Sequence, residues 1–308
     1  MRHRRKEIYK LHYIERLAEL MTEVRVSSLS GLFEVIKQNN KDGKHWFRGQ
    51  CDSDYLLQPG AYRTLYTIED QFGRPLKPEE VRDYNNHGDR VYLPDKLYLK
   101  AFYNLLEKKG VDYDHTMNLI EKYCFAQHYG VWTPMMDWST DAMVAMFFAT
   151  EGRKKNKDAA LFILNPLIMN EEMIGVKAIL SSEQAIKMSK LSPVAMFGGK
   201  DDKRMCRQSG NFTVHGTMVW PIEHYCCRQE YLLKIIIDKD LAQKLSELLA
   251  CLGINRESIY VMNDIKDEIS KEARKENVVA IQKIYSMYYN KWKITPRENR
   301  GISRQFGI

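Results

Sequence analysis

The chain predicts an α+β fold, and three observations carry that prediction. Apolar residues recur at helical spacing over 7–23, 96–109, 114–128 and 239–252. Two runs rich in branched residues, Ala159 to Leu164 and Glu230 to Ile237, have the length and composition of buried strands. No Walker-type or dinucleotide glycine loop is present, so a bound nucleotide would need another kind of fold.

Composition narrows the class. The chain has 308 residues, 44% hydrophobic and 28% charged, enough for one large or two modest domains with a real core. Cysteines at 51, 124, 206, 226, 227 and 251 show no C-x-x-C spacing, which fits a reduced, cytoplasmic protein. No apolar run approaches the roughly 20 residues of a membrane span, so neither secretion nor insertion is expected. The formal charge of +7 gathers at the ends. Arg2, Arg4, Arg5, Lys6 and Lys10 face only Glu7 within the first ten residues, and the tail beyond Lys283 repeats the pattern. Such asymmetry suits a polyanion partner or a solubilising surface.

In order, residues 7–23 read as an amphipathic helix through Ile8, Leu11, Ile14, Leu17 and Met21. Ser28 or Ser30 can cap a second helix that ends at Asn39-Asn40. A short strand, His45 to Arg48, follows and stops at Gly49, a residue that permits close backbone approach. Residues 58–94 carry four prolines and an Asn-Asn-His-Gly-Asp run, which reads as a long surface excursion or lid. Helices resume at 96–109 and 114–128. Residues 165–228 read as irregular apart from a helix near 182–190. A helix over 239–252 is capped by Gly253, and 257–276 is helical again. There is no internal repeat.

The densest punctuation lies between Phe125 and Thr150. Gly130 stops a helix, and Pro134 forces Thr133 to be extended, so 131–136 should form a loop or short strand. Ser139 or Thr140 can cap a second, buried helix beginning near Asp141, whose charge complements the helix start. With His128, Tyr129, Asp137 and Trp138 gathered there, that N-terminus is a place to hold an anionic group.

Several side chains carry candidate chemistry. Arg48, fixed in an aromatic-flanked strand, offers a planar fork for phosphate or carboxylate, or else a structural salt bridge. Glu230 opens a hydrophobic strand, where a carboxylate can bind a sugar hydroxyl or stabilise positive charge on a ribose, or simply guard an edge. His128 and Asp137 can be an acid/base pair, or His128 a helix cap. Ser139 lacks a G-x-S-x-G elbow. His224, Cys226 and Cys227 lack the spacing to complete a zinc site, and no metal is expected. The tail interleaves Tyr285, Tyr288, Tyr289 and Trp292 with Lys283, Lys291, Lys293, Arg297, Arg300 and Arg304. That pattern suits either a single-stranded nucleic-acid surface or a helix packing its aromatics into the core.

Taken together these pieces resemble the FRG domain. The resemblance rests on Trp46-Phe47-Arg48-Gly49-Gln50, Tyr55-x-Leu57-x-Pro59 with Arg63, Ala126-Gln127-His128-Tyr129-Gly130, Asp137-Trp138 and Ala145-x-Phe147-Phe148-Ala149. Gln208-x-Gly210-x-Phe212-Thr213 and the stretch from Leu252-Gly253-Ile254 to Ser258-Ile259-Tyr260 extend it, over about residues 30–275. Trp132 and Pro134 stand where the family usually has Pro and Arg. The order of motifs is also similar to mono-ADP-ribosyltransferases: Arg48-Gly49, then Ser139-Thr140-Asp141 before an Ala-x-x-Phe helix, then Glu230-Tyr231-Leu232-Leu233. Arg228 breaks the Glu-x-Glu form, which points away from protein arginine as the acceptor.

The resemblance implies an ADP-ribosyltransferase-like split β-sandwich core with surrounding helices, spanning 30–275 between a basic helical segment at 1–29 and a basic aromatic tail at 276–308. It implies NAD as substrate in a cleft between two small sheets, and Arg48, Ser139 and Glu230 as catalytic residues. NAD contacts would fall to Arg48, Gly49, Gln50, His128, Tyr129, Asp137, Trp138, Thr140 and Gln208, with Tyr129 or Trp138 stacking on nicotinamide and Gln208 in reserve for the role of Glu230. RNA is the favoured acceptor. A toxin of a bacterial anti-phage system is the natural setting, with an antitoxin protein and a chaperone as partners. A non-catalytic nucleic-acid- or protein-binding module, a protein-directed transferase, and a hydrolase using His128 and Asp137 are the competing expectations.

Overall fold

The computed structural model of the protein describes residues 22–63, 66–67, 95–189, 192–198, 210–216, 221–225, 231–260, 268–280 and 295–296. Its strands are β1 (Thr22–Val26), β2 (Trp46–Gln50), β3 (Met135–Ser139), β4 (Ala159–Leu164), β5 (Val194–Phe197), β6 (Gly210–Val214) and β7 (Leu232–Ile237). They form a seven-stranded mixed sheet in the order β1-β7-β4-β2-β3-β6-β5, with a separate two-residue ribbon pairing Tyr66–Thr67 with Thr295–Pro296. Only β1 and β7 run parallel within the sheet. The α+β class is as the sequence predicts.

The sheet is uneven at its centre. β2 pairs with β4 over five residues and β3 pairs with β6 over five, but β2 and β3 share one pair, Phe47 with Ser139. Beyond it the strands part, dividing the sheet into a four-stranded and a three-stranded half. The two small sheets expected from the resemblance are thus continuous here through one pair.

Alternation assigns the faces. Phe47, Ser139, Asp137 and Phe212 point one way by register; Trp46, Arg48, Gln50, Met136 and Trp138 point the other. On the first face, helices α1 (Leu29–Asn39), α4 (Ala142–Thr150) and α7 (Lys239–Cys251) bury Leu32, Val144, Ala145, Leu241 and Leu245 against Phe47, Ile163 and Ile235. Helices α2 (Asp95–Lys109) and α3 (Leu119–His128) pack Tyr98, Phe102, Ile120 and Tyr123 with Met135, Phe212 and Val214. The opposite face gathers Trp46, Met136, Trp138, Phe162, Leu164, Ile222 and Leu232 into a third cluster.

Local chemistry starts each helix. Ser28 caps α1 by accepting from the Gly31 N–H, and Asn118 with Glu121 forms a capping box on α3. Asp141, not Ser139 or Thr140, caps α4 by accepting from the Met143 N–H, while Ser139 Oγ accepts from the Asp141 N–H at 3.0 Å. The shift arises because strand β3 runs on to Ser139 and holds that residue in the ladder.

Residues 165–228 are more regular than the sequence suggests. α5 (Pro166–Ile174) starts on an Asn165 cap with Pro at the first turn, α6 (Ser182–Met188) carries its own capping box, and β5 and β6 complete the sheet. β5 and β6 span only four and five residues, too short for periodicity to reveal. Of the helix expected over 7–23, only Thr22 and Glu23 are described, and they open β1, because Thr-Glu-Val-Arg-Val pairs along β7. The sheet therefore begins ahead of residue 30. A last helix, α8 at 268–280, buries Ile269, Ala273 and Ala280 in the α2–α3 cluster and so runs past residue 275. The excursion at 64–65 and 68–94 and most of the aromatic tail lie outside the described residues. Among the described residues no helix is long and apolar enough to cross a membrane.

One contact fixes α4 to β2. A Cβ placed on Gly49 would stand 1.9 Å from the Ala145 carbonyl oxygen and 2.4 Å from the Ala149 nitrogen. Both are backbone atoms and cannot rotate away, so the helix lies directly on the glycine peptide. Gly49→Ala should destabilise the protein by about 3 kcal/mol in chemical denaturation. A loss below about 1 kcal/mol would show that the helix can lift without cost.

Candidate functional site

Where β2 leaves β3, the Arg48 side chain fills the parting. Its Nη1 donates to the Asp137 carbonyl at 2.5 Å, on the strand it no longer pairs with. Among the described residues this is its only side-chain hydrogen bond, and Nε is buried without a partner. Arg48 is half-buried overall. Burial lowers the guanidinium from its ordinary value, opposed by the nearby Asp137 and Glu223 charges. It remains a cation, with most of its donors uncommitted.

Around it lies a set of enclosed polar groups. Gln50, two residues along the same face of β2 and 6% exposed, donates from Nε2 to the Leu56 carbonyl at 3.4 Å and leaves Oε1 without a partner. The strap 51–58 crosses here, and its Leu57 is wholly buried. The Leu57 N–H donates to Glu223 Oε1 at 2.7 Å, and the Ile222 N–H donates to the Leu57 carbonyl at 2.9 Å. Glu223 sits in a short 3-10 turn, Ile222–Tyr225, and its Oε2 is buried with no partner. Burial pushes this carboxyl up to about 7.

The three-stranded half supplies a histidine. Trp138 Nε1 donates to Thr213 Oγ1 at 3.1 Å, and that hydroxyl lies 3.3 Å from His215 Nε2. An indole nitrogen can only donate, so the Thr213 proton is free to go to Nε2, leaving the imidazole proton on Nδ1. His215 Nδ1 is buried and has no partner. Burial, with the Arg48 charge beside it, pushes His215 down to about 3, so it is neutral at physiological pH. Among the described residues, two donors, Arg48 Nε and His215 Nδ1, and two acceptors, Gln50 Oε1 and Glu223 Oε2, therefore stand unsatisfied in one neighbourhood. Unpaired buried groups of this kind cost free energy unless a partner reaches them.

The structure brings Arg48, Gly49, Gln50, Asp137, Trp138 and Ser139 together at the parting. Their duties differ. Trp138 is 2% exposed and supports the wall through Thr213, so its ring is enclosed instead of open to a ligand. Gly49 seats α4. Ser139 is buried and turns the chain into that helix, beside exposed Thr140 and Asp137. His128 and Tyr129 belong to the end of α3, where the Tyr129 ring packs on Phe102 and Phe125, each at 5.3 Å between centroids. The turn that follows is pinned by α8: the Gly130 carbonyl accepts from Asn277 Nδ2 at 3.0 Å, and a Cβ at Gly130, with φ +81°, would meet Arg274. Glu230 and Gln208 lie outside the described residues, as do the side chains of His224, Cys226 and Cys227.

With this geometry in view, comparison with known proteins is informative. Residues 43–158 match the model of the FRG domain. No curated protein and no solved structure matches the chain. The matched stretch runs from just before β2 to the turn before β4, so it contains Arg48, Gly49, Gln50 and the whole of β3 and α4. Glu223 and His215 lie beyond it. Sequence reasoning overlooked both, although the extended Gly210-x-Phe212-Thr213 run leads straight to His215 and apolar neighbours flank Glu223.

The two buried titratable groups give opposite pH signatures. His215 has a folded value of about 3 against an ordinary 6.5, so between those values only the unfolded chain binds its proton, and stability rises with pH. Glu223 has a folded value of about 7 against 4.5, so between those values the folded protein keeps a proton that the unfolded chain releases, and stability falls as pH rises. From about 4.5 to about 6.5 the two oppose each other. Relative to the parent, His215→Gln should lose stability with rising pH across that window and Glu223→Gln should gain it, each by up to about 1.4 kcal/mol per pH unit. Denaturation midpoints at stepped pH measure this, and parallel profiles for the three proteins would contradict the assignment.

Proposed function

We propose that the protein is an NAD-dependent ADP-ribosyltransferase acting on a nucleic-acid acceptor, with RNA favoured. The observation that carries the proposal is Arg48: a cation seated at the parting of β2 and β3, tied among the described residues by a single backbone carbonyl, with a buried Nε left over. A pyrophosphate supplies what that guanidinium lacks.

The remaining unsatisfied groups fit the same substrate. Gln50 Oε1 can accept from hydroxyl or amide donors, and the neutral His215 Nδ1–H can donate. In the reaction the bond from ribose C1′ to the nicotinamide nitrogen breaks, the electron pair leaves with nicotinamide, and a nucleophile of the acceptor bonds to C1′ as its proton goes to solvent. Positive charge develops on the ribose, and a carboxylate placed against it lowers the barrier. Glu230, opening the run into β7, is the residue we assign to that role, with Gln208 as the other candidate. Ser139 would orient the Arg48 strand junction. The basic ends of the chain would select the acceptor, since lysine and arginine neutralise phosphates while aromatic rings stack on bases. By the same resemblance the setting is a toxin of a bacterial anti-phage system, held by an antitoxin protein.

Incubation with labelled NAD and a mixture of total bacterial RNA and protein tests this. Label should enter RNA, and Arg48→Ala and Glu230→Gln should each reduce it by roughly 100-fold or more while leaving the fold intact. Arg48→Lys should not rescue, because an ammonium cannot supply two parallel donors. Label in protein would overturn the acceptor while keeping the chemistry. No label in either fraction, with RNA bound tightly, would favour a binding module.

A further inference from the structure

Glu223 is a carboxyl that the proposed reaction does not use, yet it is built into the Arg48 neighbourhood. It is 4% exposed, and one oxygen is committed to the Leu57 N–H while the other is buried without a partner. Its position follows from a chain of contacts. Gln50 shares a strand face with Arg48 and holds the Leu56 carbonyl, and Glu223 holds the next peptide, the Leu57 N–H. The carboxyl and the guanidinium thus flank the same strap inside low-dielectric surroundings, where charges act strongly on one another.

The charged groups facing Glu223 come from two strands. Lys234 on β7 and, to a smaller extent, Arg48 on β2 favour its ionised form. Lys234 is already committed to Glu23 of β1 at 3.0 Å. His215, which follows β6, is neutral, and the exposed Asp137 side chain points to the other face of the sheet. Of these two cations, Arg48 is the one with donors left for a ligand among the described residues.

We infer that Glu223 is a specificity-determining residue that competes with the phosphates of a ligand for the charge of Arg48, so that binding such a ligand draws one proton from solvent onto Glu223. This rests on reading Arg48 as the phosphate clamp. When a phosphate takes up the Arg48 charge, a carboxylate alongside loses its counter-charge and gains an anionic neighbour. Both changes favour the neutral acid, and Oε2, free of any donor, is the oxygen that takes the proton. The carboxyl is already poised near neutrality in the ligand-free protein. A carboxylate that becomes neutral on binding also sets a preference: the site holds a diphosphate better as acidity rises, and a neutral sugar gains nothing.

Calorimetric titration with ADP-ribose tests this, since its pyrophosphate diester carries no proton between about pH 6 and about pH 8.5. Buffers of different ionisation enthalpy report proton uptake directly. The affinity of the parent protein should be flat below about pH 7 and fall by up to about tenfold per pH unit above it, with close to one proton taken up. Glu223→Gln, which retains an oxygen for the Leu57 N–H, should bind with no such pH dependence and more tightly than the parent at about pH 8. A flat profile for the parent, or equal uptake in both proteins, overturns the inference while leaving the clamp standing. Absence of ADP-ribose binding to the parent overturns the clamp itself and the inference with it. Should Glu223→Gln fail to fold, the profile of the parent alone still decides.

Discussion

The backbone of α4 rests on the peptide of Gly49, and the architecture of the site depends on that contact. Because nothing larger than hydrogen can stand between Gly49 and the Ala145 carbonyl, β2 is held against the helix that follows β3. The two strands are thus tied through a helix instead of through a ladder. They need only one direct pair, Phe47 with Ser139, and the sheet can open beyond it without coming apart. Arg48, adjacent to the glycine, is carried into that opening on the opposite face. Glycine and arginine are neighbours in sequence because one makes the close approach and the other exploits the gap it leaves.

An opening in a sheet exposes backbone groups that want partners. Arg48 Nη1 satisfies the Asp137 carbonyl, which has lost its partner on β2. The remaining polar groups, from Gln50, His215 and Glu223, are enclosed by Leu57, Ile222 and Trp138 and are only partly satisfied. A fold that maximised stability would fill this space with apolar side chains or complete the hydrogen bonds. The retained deficit is consistent with a site whose partners arrive with a ligand. The shifts of His215 and Glu223 point the same way: one is held neutral by burial and the adjacent Arg48, the other is held near neutrality by burial against the pull of Lys234 and Arg48.

Much of this was legible in the sequence, and the pattern of success is physical. Strand Ala159 to Leu164 and the helices with strong caps or long apolar stripes were readable because their signals are local. The role of Gly49 was readable because a glycine inside a strand usually marks a bulge or a place where another backbone comes close. Strands β5 and β6 were not, being too short to show a period, and β1 was hidden because its first two residues end a helical pattern and the whole strand takes its conformation from pairing with β7. At the site, Arg48 and its neighbours stood out as a motif. His215 and Glu223 did not, since a lone histidine or glutamate gains meaning only from what surrounds it, and the contacts among Gln50, Leu56, Leu57 and Glu223 reach across as many as 166 residues of chain.

The central claim is that the parting between β2 and β3 is where a dinucleotide's pyrophosphate lies. The most direct test is a crystal structure of the protein grown with a non-hydrolysable NAD analogue. Pyrophosphate oxygens should then lie within hydrogen-bond distance of the Arg48 guanidinium, with the ribose turned toward the segment carrying Glu230. An analogue bound elsewhere on the molecule, with Arg48 still bonded to the Asp137 carbonyl alone, would contradict it.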